Sequence, residues 1–232
     1  MISKLKKNVL RANKELGKSG LVKLTWGNIS EIDRKSGLIA IKPSGVDYKK
    51  LKLDDIVITN LDGKKFSSKL KPSSDLLTHV EIYKSFPKIG GICHTHSKYA
   101  TIFCQAQKSI NCIGTTHADH FLGKIPVTRR LKNQEINNNQ DYVINTGKII
   151  LEKFKNSKID YQKTPAILVA NHAPFTWGKN AIDALQNSIV LEEVAEMEFK
   201  SYILRKNINI EKKLLKLHFK RKSGPNKSYG QN

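Results

Sequence analysis

Three absences limit what this chain of 232 residues can be. It has no run of about 18 apolar residues, the length needed to cross a bilayer, so we expect no membrane-spanning segment. Residues 1–16 lack an apolar central block and a small-residue cleavage site, so we expect no secretory signal either. Neither a Gly/Ser-rich nor a Pro-rich stretch divides the chain. This favours one domain over residues 1–232, with a C-terminal helix and tail from about residue 211.

Cysteine is also scarce. The chain has three, at Cys93, Cys104 and Cys112, and no two of them form a CxxC pair. An odd number without regular spacing does not predict a disulfide framework, and a chain of this size can build a core without one. We therefore expect a protein of the reducing cytoplasm.

Acidic residues are outnumbered by basic ones, with 20 Asp and Glu against 41 Lys and Arg, a formal net charge of +21. Such an excess can mark a nucleic-acid-binding protein. Here the lysines are spread along the chain and are not interleaved with stacking aromatic residues, so we expect no nucleic-acid partner. A positive field still favours an anionic small molecule, such as a sugar phosphate, as the substrate.

The spacing of apolar residues predicts both helices and strands. Helices are predicted at 2–16, 74–86, 98–107 and 180–204, with amphipathic or basic helical segments at 148–154 and from 211. Strands are predicted at 29–33, 38–42, 55–60, 90–96 and 166–170. Because several strands follow one another through short turns, we expect an α/β protein of the α+β type, with a mostly antiparallel sheet flanked by helices.

A histidine pair is the first sign of chemistry. His94 and His96 fall in the predicted strand 90–96, where residues two apart point to the same side. Two neutral imidazoles on one face can share a metal ion at roughly 2.0–2.1 Å from each nitrogen. The pair alone is equally compatible with two histidines lining a polar strand edge.

Two further residues strengthen the metal interpretation. His172 follows the apolar strand 166–170, at a point where a strand can end and open into a pocket. Asp75 offers a carboxylate, although acidic residues also favour helix N-termini for the charge of the helix dipole. Three histidines and a carboxylate, with a position left open, are typical of a catalytic metal site.

Two Pro-Ser turns could hold a phosphate. Both are preceded by lysine, Lys42 before Pro43-Ser44-Gly45 and Lys71 before Pro72-Ser73-Ser74. Serine hydroxyls and backbone N–H groups at a turn leading into a helix form anion sites. Either turn taken singly is also explained as ordinary turn chemistry.

Two residues outside these segments could move protons. Asp119 lies in a polar segment, in a loop or at a strand end, and its carboxylate could act as a general acid or base. Tyr229 lies near the chain terminus, where residue physics alone assigns it no role.

Together these segments resemble the L-ribulose-5-phosphate 4-epimerases of the class II aldolase and adducin superfamily. The matching segments occur in the family's order and span nearly the whole chain: 25–28 (TWGN), 42–46 (KPSGV), 71–75 (KPSSD), 94–97 (HTHS), 114–119 (GTTHAD), 172–175 (HAPF), 177–180 (WGKN) and 229–231 (YGQ). Any one of them is weak, whereas this number in register is specific.

The resemblance implies a role for each matching residue. It assigns His94, His96, His172 and Asp75 to one divalent cation per subunit, Zn²⁺ or another such as Mn²⁺ or Co²⁺. It assigns the substrate phosphate to Ser44, Gly45, Ser73 and Ser74, and the sugar to Gly27, Asn28 and Lys42. Asp119 and Tyr229 would be the paired acid/base groups, and His218 and Arg221 would support them.

The resemblance also implies an architecture and a reaction. The expected fold is a three-layer αβα sandwich, assembled into homotetramers with active sites between subunits. The expected reaction inverts C4 of L-ribulose 5-phosphate to give D-xylulose 5-phosphate by metal-assisted retro-aldol and aldol steps, in arabinose or ascorbate catabolism. The alternative is a class II aldolase cleaving a deoxyketose 1-phosphate such as L-fuculose 1-phosphate. That enzyme carries glutamate where this chain has Asp75, which favours the epimerase.

Overall fold

The structure is a computed structural model and describes residues 2–223. Its α-helices are α1 (Ile2–Lys18), α2 (Leu76–Ser85), α3 (Lys98–Gln105), α4 (Thr115–Ala118), α5 (Asn139–Ser157), α6 (Ala181–Leu204) and α7 (Lys212–Ser223). Its strands are β1 (Asn28–Asp33), β2 (Leu38–Ile41), β3 (Val57–Thr59), β4 (Lys65–Ser67), β5 (Gly91–His94), β6 (Ala166–Leu168) and β7 (Pro174–Gly178). Tyr229 lies outside the described residues.

The seven strands form one antiparallel sheet in the order β4-β3-β2-β1-β5-β7-β6. Chain neighbours β1 to β4 pair as hairpins, and β5 enters between β1 and β7. In this register Asn28 of β1 and Phe175 of β7 lie on either side of His94. The functional end of β5 is therefore held from both sides at the centre of the sheet.

Strand alternation divides the core into two layers of contact. Ile39, Ile41 and Ile92 point to one face, where they pack with helices α2 and α5. Their neighbours Ala40 and Cys93 point to the other face, which α1, α3 and α6 cover. Successive strand residues face opposite sides of the sheet, and helices cover both faces. The predicted α/β fold, a mostly antiparallel sheet between helical layers, is confirmed.

Several predicted boundaries were wrong. Helix α5 begins at Asn139, where Asn138 accepts a hydrogen bond from the backbone N–H of Asp141 at 2.9 Å, although the sequence predicted only the amphipathic run 148–154. Strand β7 was not predicted. Asp119 was expected in a loop or at a strand end but directly follows the short helix α4. Within residues 2–223 no helix has the length and apolar content that a membrane span requires.

Candidate metal centre and active site

The three predicted metal-binding histidines converge. His94 ends strand β5, His96 lies two residues beyond it, and His172 lies in the turn between β6 and β7. One ligand atom from each side chain lies within 4.8 Å of the other two, and the His94 and His96 Nε2 atoms are 3.2 Å apart. The expectation that both members of the pair sit in the strand was wrong, because β5 stops at His94. The two rings still meet, although the chain leaves the strand after His94.

A tight turn presents His172. The His172 N–H donates to the carbonyl of Val169 at 3.0 Å, and the Val169 N–H donates to Ala173 at 3.3 Å, which closes the β6–β7 connection. Asn171 takes a left-handed conformation with φ of 62°, which asparagine tolerates better than most residues. The Asn171 N–H also donates to Cys104 of α3 at 3.0 Å. The turn is thereby fixed against the helix that follows His96.

The hydrogen bonding and pKa values of the histidine rings suit metal binding, which needs a free nitrogen lone pair. His94 Nδ1 lies 2.9 Å from the carbonyl of Pro174, which can only accept, so Nδ1 carries the proton and the Nε2 lone pair faces the other histidines. Carbonyl partners of this kind orient metal-binding imidazoles. Burial, reinforced by His94, lowers the pKa of His96 to about 4 and that of His172 to about 3. Both are neutral at pH 7 and can donate lone pairs.

These features fit a divalent cation. Three imidazoles with convergent nitrogens match the donor set of a three-ligand catalytic site. The buried Nδ1 of His172 has no hydrogen-bond partner among the described residues. A buried polar atom without a partner is unusual, and a bound ligand would explain it.

Asp75 lies in the same cavity but outside the histidine cluster. Its Oδ2 accepts hydrogen bonds from Asn28 Nδ2 at 2.7 Å and Ser73 Oγ at 3.2 Å. Burial raises the pKa of the Asp75 carboxyl, but nearby histidines and the Asn28 hydrogen bond outweigh burial and hold the pKa below its usual value. Asp75 is therefore an anion beside the histidines, and its assignment as a fourth ligand stays a prediction.

Gly27 allows the chain to pass close to His94. Its φ is 79°, a conformation that favours glycine. A Cβ atom there would lie 2.7 Å from the His94 carbonyl oxygen and 3.0 Å from Val22 Cγ1. Only glycine fits without a shift, and this close approach delivers Asn28 to the cavity.

The two Pro-Ser turns form one structure. Pro43 and Pro72 make an antiparallel bridge, the Ser44 N–H donates to Lys71, and the Ser73 N–H donates to Lys42, each at 3.0 Å. Ser44, Gly45 and Ser74 are exposed at the cavity surface. The Ser44 and Ser73 N–H groups are used in joining the turns, so the groups left for an anion include the exposed Ser44 and Ser74 hydroxyls on one wall of the cavity.

Lys42 is buried at the cavity, beside the first Pro-Ser turn. Its Nζ donates to the Pro43 carbonyl at 3.3 Å and lies 4.7 Å from the centre of the Tyr48 ring. Burial lowers the pKa of Lys42 to about 8, because the ammonium loses hydration, while Asp47 opposes the shift. Lys42 is thus a cation at neutral pH that can lose its proton at mildly alkaline pH.

All these groups line one cavity of about 520 Å³. It gathers eleven of the predicted site residues: Gly27, Asn28, Lys42, Ser44, Gly45, Ser73, Ser74, Asp75, His94, His96 and His172. Sequence reasoning missed the contribution of helix α5, whose first turns supply Asn139, Tyr142 and Val143. The Asn138 cap could have located the start of that helix, but the direction it faces follows only from packing.

Asp119 does not line this cavity. It follows α4 and contacts α7, with Oδ1 2.9 Å from His218 Nδ1 and Oδ2 3.3 Å from Arg221 Nη2. Burial raises the pKa of Asp119, but these two hydrogen bonds outweigh burial and lower it below the usual value. The structure therefore brings Asp119 together with His218 and Arg221, and none of the three lines the histidine cavity of the same chain.

Comparison with known proteins defines the class. Residues 7–199 match the family described as Class II Aldolase and Adducin N-terminal domain. The chain belongs to this family, and the class II aldolases in it depend on divalent metals. One solved structure with a similar fold is an L-fuculose 1-phosphate aldolase, with a TM-score of 0.78, 22% identity, and coverage of 94% of this chain and 95% of that one. YgbL from Klebsiella pneumoniae has a TM-score of 0.72 at 22% identity, covering 94% and 98%.

Two relatives of higher sequence identity are L-ribulose-5-phosphate 4-epimerases. The L-ribulose-5-phosphate 4-epimerase UlaF of Salmonella paratyphi A is 46% identical over 231 residues, which cover 99% of this chain and 100% of the relative. The UlaF protein of Salmonella typhi gives the same identity and coverage. The resemblance found from the motifs is thereby confirmed.

Proposed function

We propose that this chain is an L-ribulose-5-phosphate 4-epimerase that interconverts L-ribulose 5-phosphate and D-xylulose 5-phosphate. The observation that carries the proposal is the meeting of a histidine triad and paired Pro-Ser turns in one cavity. The full-length identity to curated epimerases supports this substrate over a deoxyketose 1-phosphate. Likeness to the fuculose phosphate aldolase, at 22% identity, extends to the fold alone.

The substrate dictates how C4 can be inverted. The ketone is at C2, so the hydrogen on C4 is not acidic and cannot simply be removed and returned. Breaking the C3–C4 bond instead yields the enediolate of dihydroxyacetone and glycolaldehyde phosphate. When the aldehyde turns over before the bond re-forms, C4 returns with the opposite configuration. No C4–H bond breaks at any stage.

The metal would be held by His94, His96 and His172, with Asp75 as a further ligand. A bound divalent cation supplies Lewis-acid stabilisation of negative charge on the sugar oxygens. We propose Zn²⁺, one per subunit, because neutral imidazoles and a carboxylate suit it, and Mn²⁺ or Co²⁺ could take its place.

The cavity walls suit the two fragments. Ser44, Gly45, Ser73 and Ser74 hold the phosphate, which travels with the aldehyde carbon. An anchored phosphate lets the aldehyde rotate about its C4–C5 bond without leaving the site. Lys42 and Asn28 orient the sugar oxygens, and Lys42 adds positive charge where the enediolate develops.

Asp119 and Tyr229 act as the proton-transfer pair. One takes the proton from the C4 hydroxyl as the C3–C4 bond breaks, and the other returns a proton on the opposite face. Because Asp119 lies outside the metal cavity of its own chain, we infer that it serves a neighbouring subunit of a homotetramer. His218 and Arg221 hold its carboxylate in place and ionised.

The free cysteines and the proposed substrate indicate a compartment and a pathway. We propose a cytoplasmic enzyme of pentose catabolism, on the arabinose or ascorbate route. Cys93, Cys104 and Cys112 are free thiols in the structure, which suits a reducing compartment.

The proposed function is tested by identifying the product that the enzyme forms from L-ribulose 5-phosphate. Purified protein loaded with Zn²⁺ is incubated with L-ribulose 5-phosphate, and we expect D-xylulose 5-phosphate, lost on adding chelator. Net release of dihydroxyacetone and glycolaldehyde phosphate would indicate an aldolase instead. Turnover of L-fuculose 1-phosphate with none of the pentose phosphate would overturn the proposed substrate.

The pKa of Lys42 predicts a pH dependence. Below about 8 this side chain is cationic and attracts the anionic substrate, and above that value the attraction is lost. We therefore expect kcat/KM of the wild type to fall as pH rises through about 8, because kcat/KM reports the free enzyme. In Lys42→Arg, which stays charged, the fall should move to higher pH. The exposed Lys71→Arg should keep the wild-type profile, and an unmoved fall in Lys42→Arg would contradict the assignment.

A further inference from the structure

Helix α3, which follows the metal-binding pair, is capped from a distance. Ser97 occupies the N-cap position but makes no side-chain capping bond, and its buried Oγ has no partner among the described residues. Instead, Glu192 of α6 accepts hydrogen bonds from the backbone N–H groups of Tyr99 at 2.8 Å and Ala100 at 2.9 Å. A carboxylate there satisfies two free donors and favours the positive end of the helix.

His96 has less support than its neighbour. His94 ends a strand that is paired on both sides, and its Nδ1 is fixed by the Pro174 carbonyl. His96 lies beyond the strand, in the segment 95–97 between β5 and α3. The one hydrogen-bond contact recorded for its ring among the described residues is with His94 Nε2. The position of His96 therefore depends on where α3 begins.

We propose that Glu192 is a positioning residue for the metal centre, fixing the start of α3 and thereby His96. The inference rests on the histidine triad as a metal site, and it concerns ligand placement, not the reaction. Helix α6 packs against β5 and β7, which carry His94 and its Pro174 partner, so Glu192 ties His96 to the same scaffold. Outer partners of metal ligands typically affect metal affinity about 10–100-fold.

The same helix provides matched controls. Glu198 also accepts two hydrogen bonds, from the N–H of Asn111 at 2.6 Å and its Nδ2 at 2.8 Å, but that segment leads to α4 and not to a metal ligand. Glu193 is exposed and adjacent to Glu192. Glu198→Gln thus controls for loss of a buried carboxylate clamp, and Glu193→Gln for loss of charge.

The experiment measures metal binding without turnover. Full-length wild type, Glu192→Gln and the two controls are stripped with chelator, then titrated with Co²⁺ against a competing chelator. The visible d–d absorption reports the coordination geometry, and thermal unfolding of each metal-free protein is recorded alongside.

We expect Glu192→Gln to bind Co²⁺ about 10–100-fold more weakly, with an altered d–d spectrum. Glu198→Gln and Glu193→Gln should bind as wild type, even if Glu198→Gln melts earlier. Should Glu192→Gln fail to fold, Glu192→Asp retracts the carboxylate by one methylene and should also weaken binding.

Two results would overturn the proposal. One is wild-type affinity and spectrum in a folded Glu192 variant. The other is an equal loss of affinity in Glu198→Gln, which would mean that binding follows general stability. A wild type that binds no Co²⁺ would instead overturn the metal centre on which the inference rests.

Discussion

Replacing His94, His96 and His172 together with alanine is expected to leave a protein that retains no stoichiometric metal. The three nitrogens supply the convergent donor set, and what remains in the cavity is the Asp75 carboxylate. The epimerase kcat/KM should fall by about 10³-fold or more, because Lewis-acid stabilisation contributes several kcal/mol and each 1.36 kcal/mol is tenfold.

The measurement is metal content after extensive dialysis, with initial rates on the same samples. His120, which lies outside the cavity and contacts Lys222, provides the control, and His120→Ala should keep one metal per subunit. Thermal unfolding of the metal-free proteins checks that the triple variant folds. A folded triple variant that still carries one metal per subunit would refute the assigned ligands.

Asp119→Asn should lower kcat by about 10²–10⁴-fold, the usual contribution of a general acid or base. Its metal content should be unchanged, because Asp119 does not line the histidine cavity. Asp160→Asn, which removes a surface carboxylate paired with Lys163, should have wild-type activity. Near-wild-type kcat in Asp119→Asn would exclude it from proton transfer.

Mixing variants tests whether Asp119 serves a neighbouring subunit. The triple histidine variant and Asp119→Asn are each inactive in this account, and are unfolded and refolded together. In a random mixture about a quarter of the sites would combine an intact triad from one chain with an intact Asp119 from its neighbour. Recovered activity near that fraction supports the shared site. No recovery from verified mixed oligomers would place Asp119 and the triad in one chain's site.

The sequence predicted that His94, His96 and His172 come together, and they do. The predicted strand 90–96, however, ran past the end of β5 at His94, so strand alternation does not account for the position of His96. In the proposal above, His96 is positioned by the hydrogen bonds between Glu192 and the start of α3, which join residues 92 and 93 positions apart in the chain. Contacts at that separation leave no local pattern in a single sequence.

Helix prediction succeeded where spacing or composition gave a strong signal. The spacing of Leu5, Val9 and Leu16 gave α1, and the Leu-, Ala- and Glu-rich segment 180–204 gave α6. Helix α5 was mostly missed because Asn and Lys alternate with its apolar residues, so Tyr142 could not be placed in the cavity. The location of Asp119, away from the cavity of its own chain, depends on how α4 packs against α7 and was likewise beyond local reasoning.

The most direct test of the account follows the C4 hydrogen. Zn²⁺-loaded wild type converts L-ribulose 5-phosphate in D₂O, and NMR spectroscopy examines C4 of the product. We expect D-xylulose 5-phosphate with the original protium at C4, because the C3–C4 bond breaks and the C4–H bond does not. Deuterium at C4 would mean that the C4–H bond is cleaved, and would contradict the proposed chemistry even if the product were the expected one.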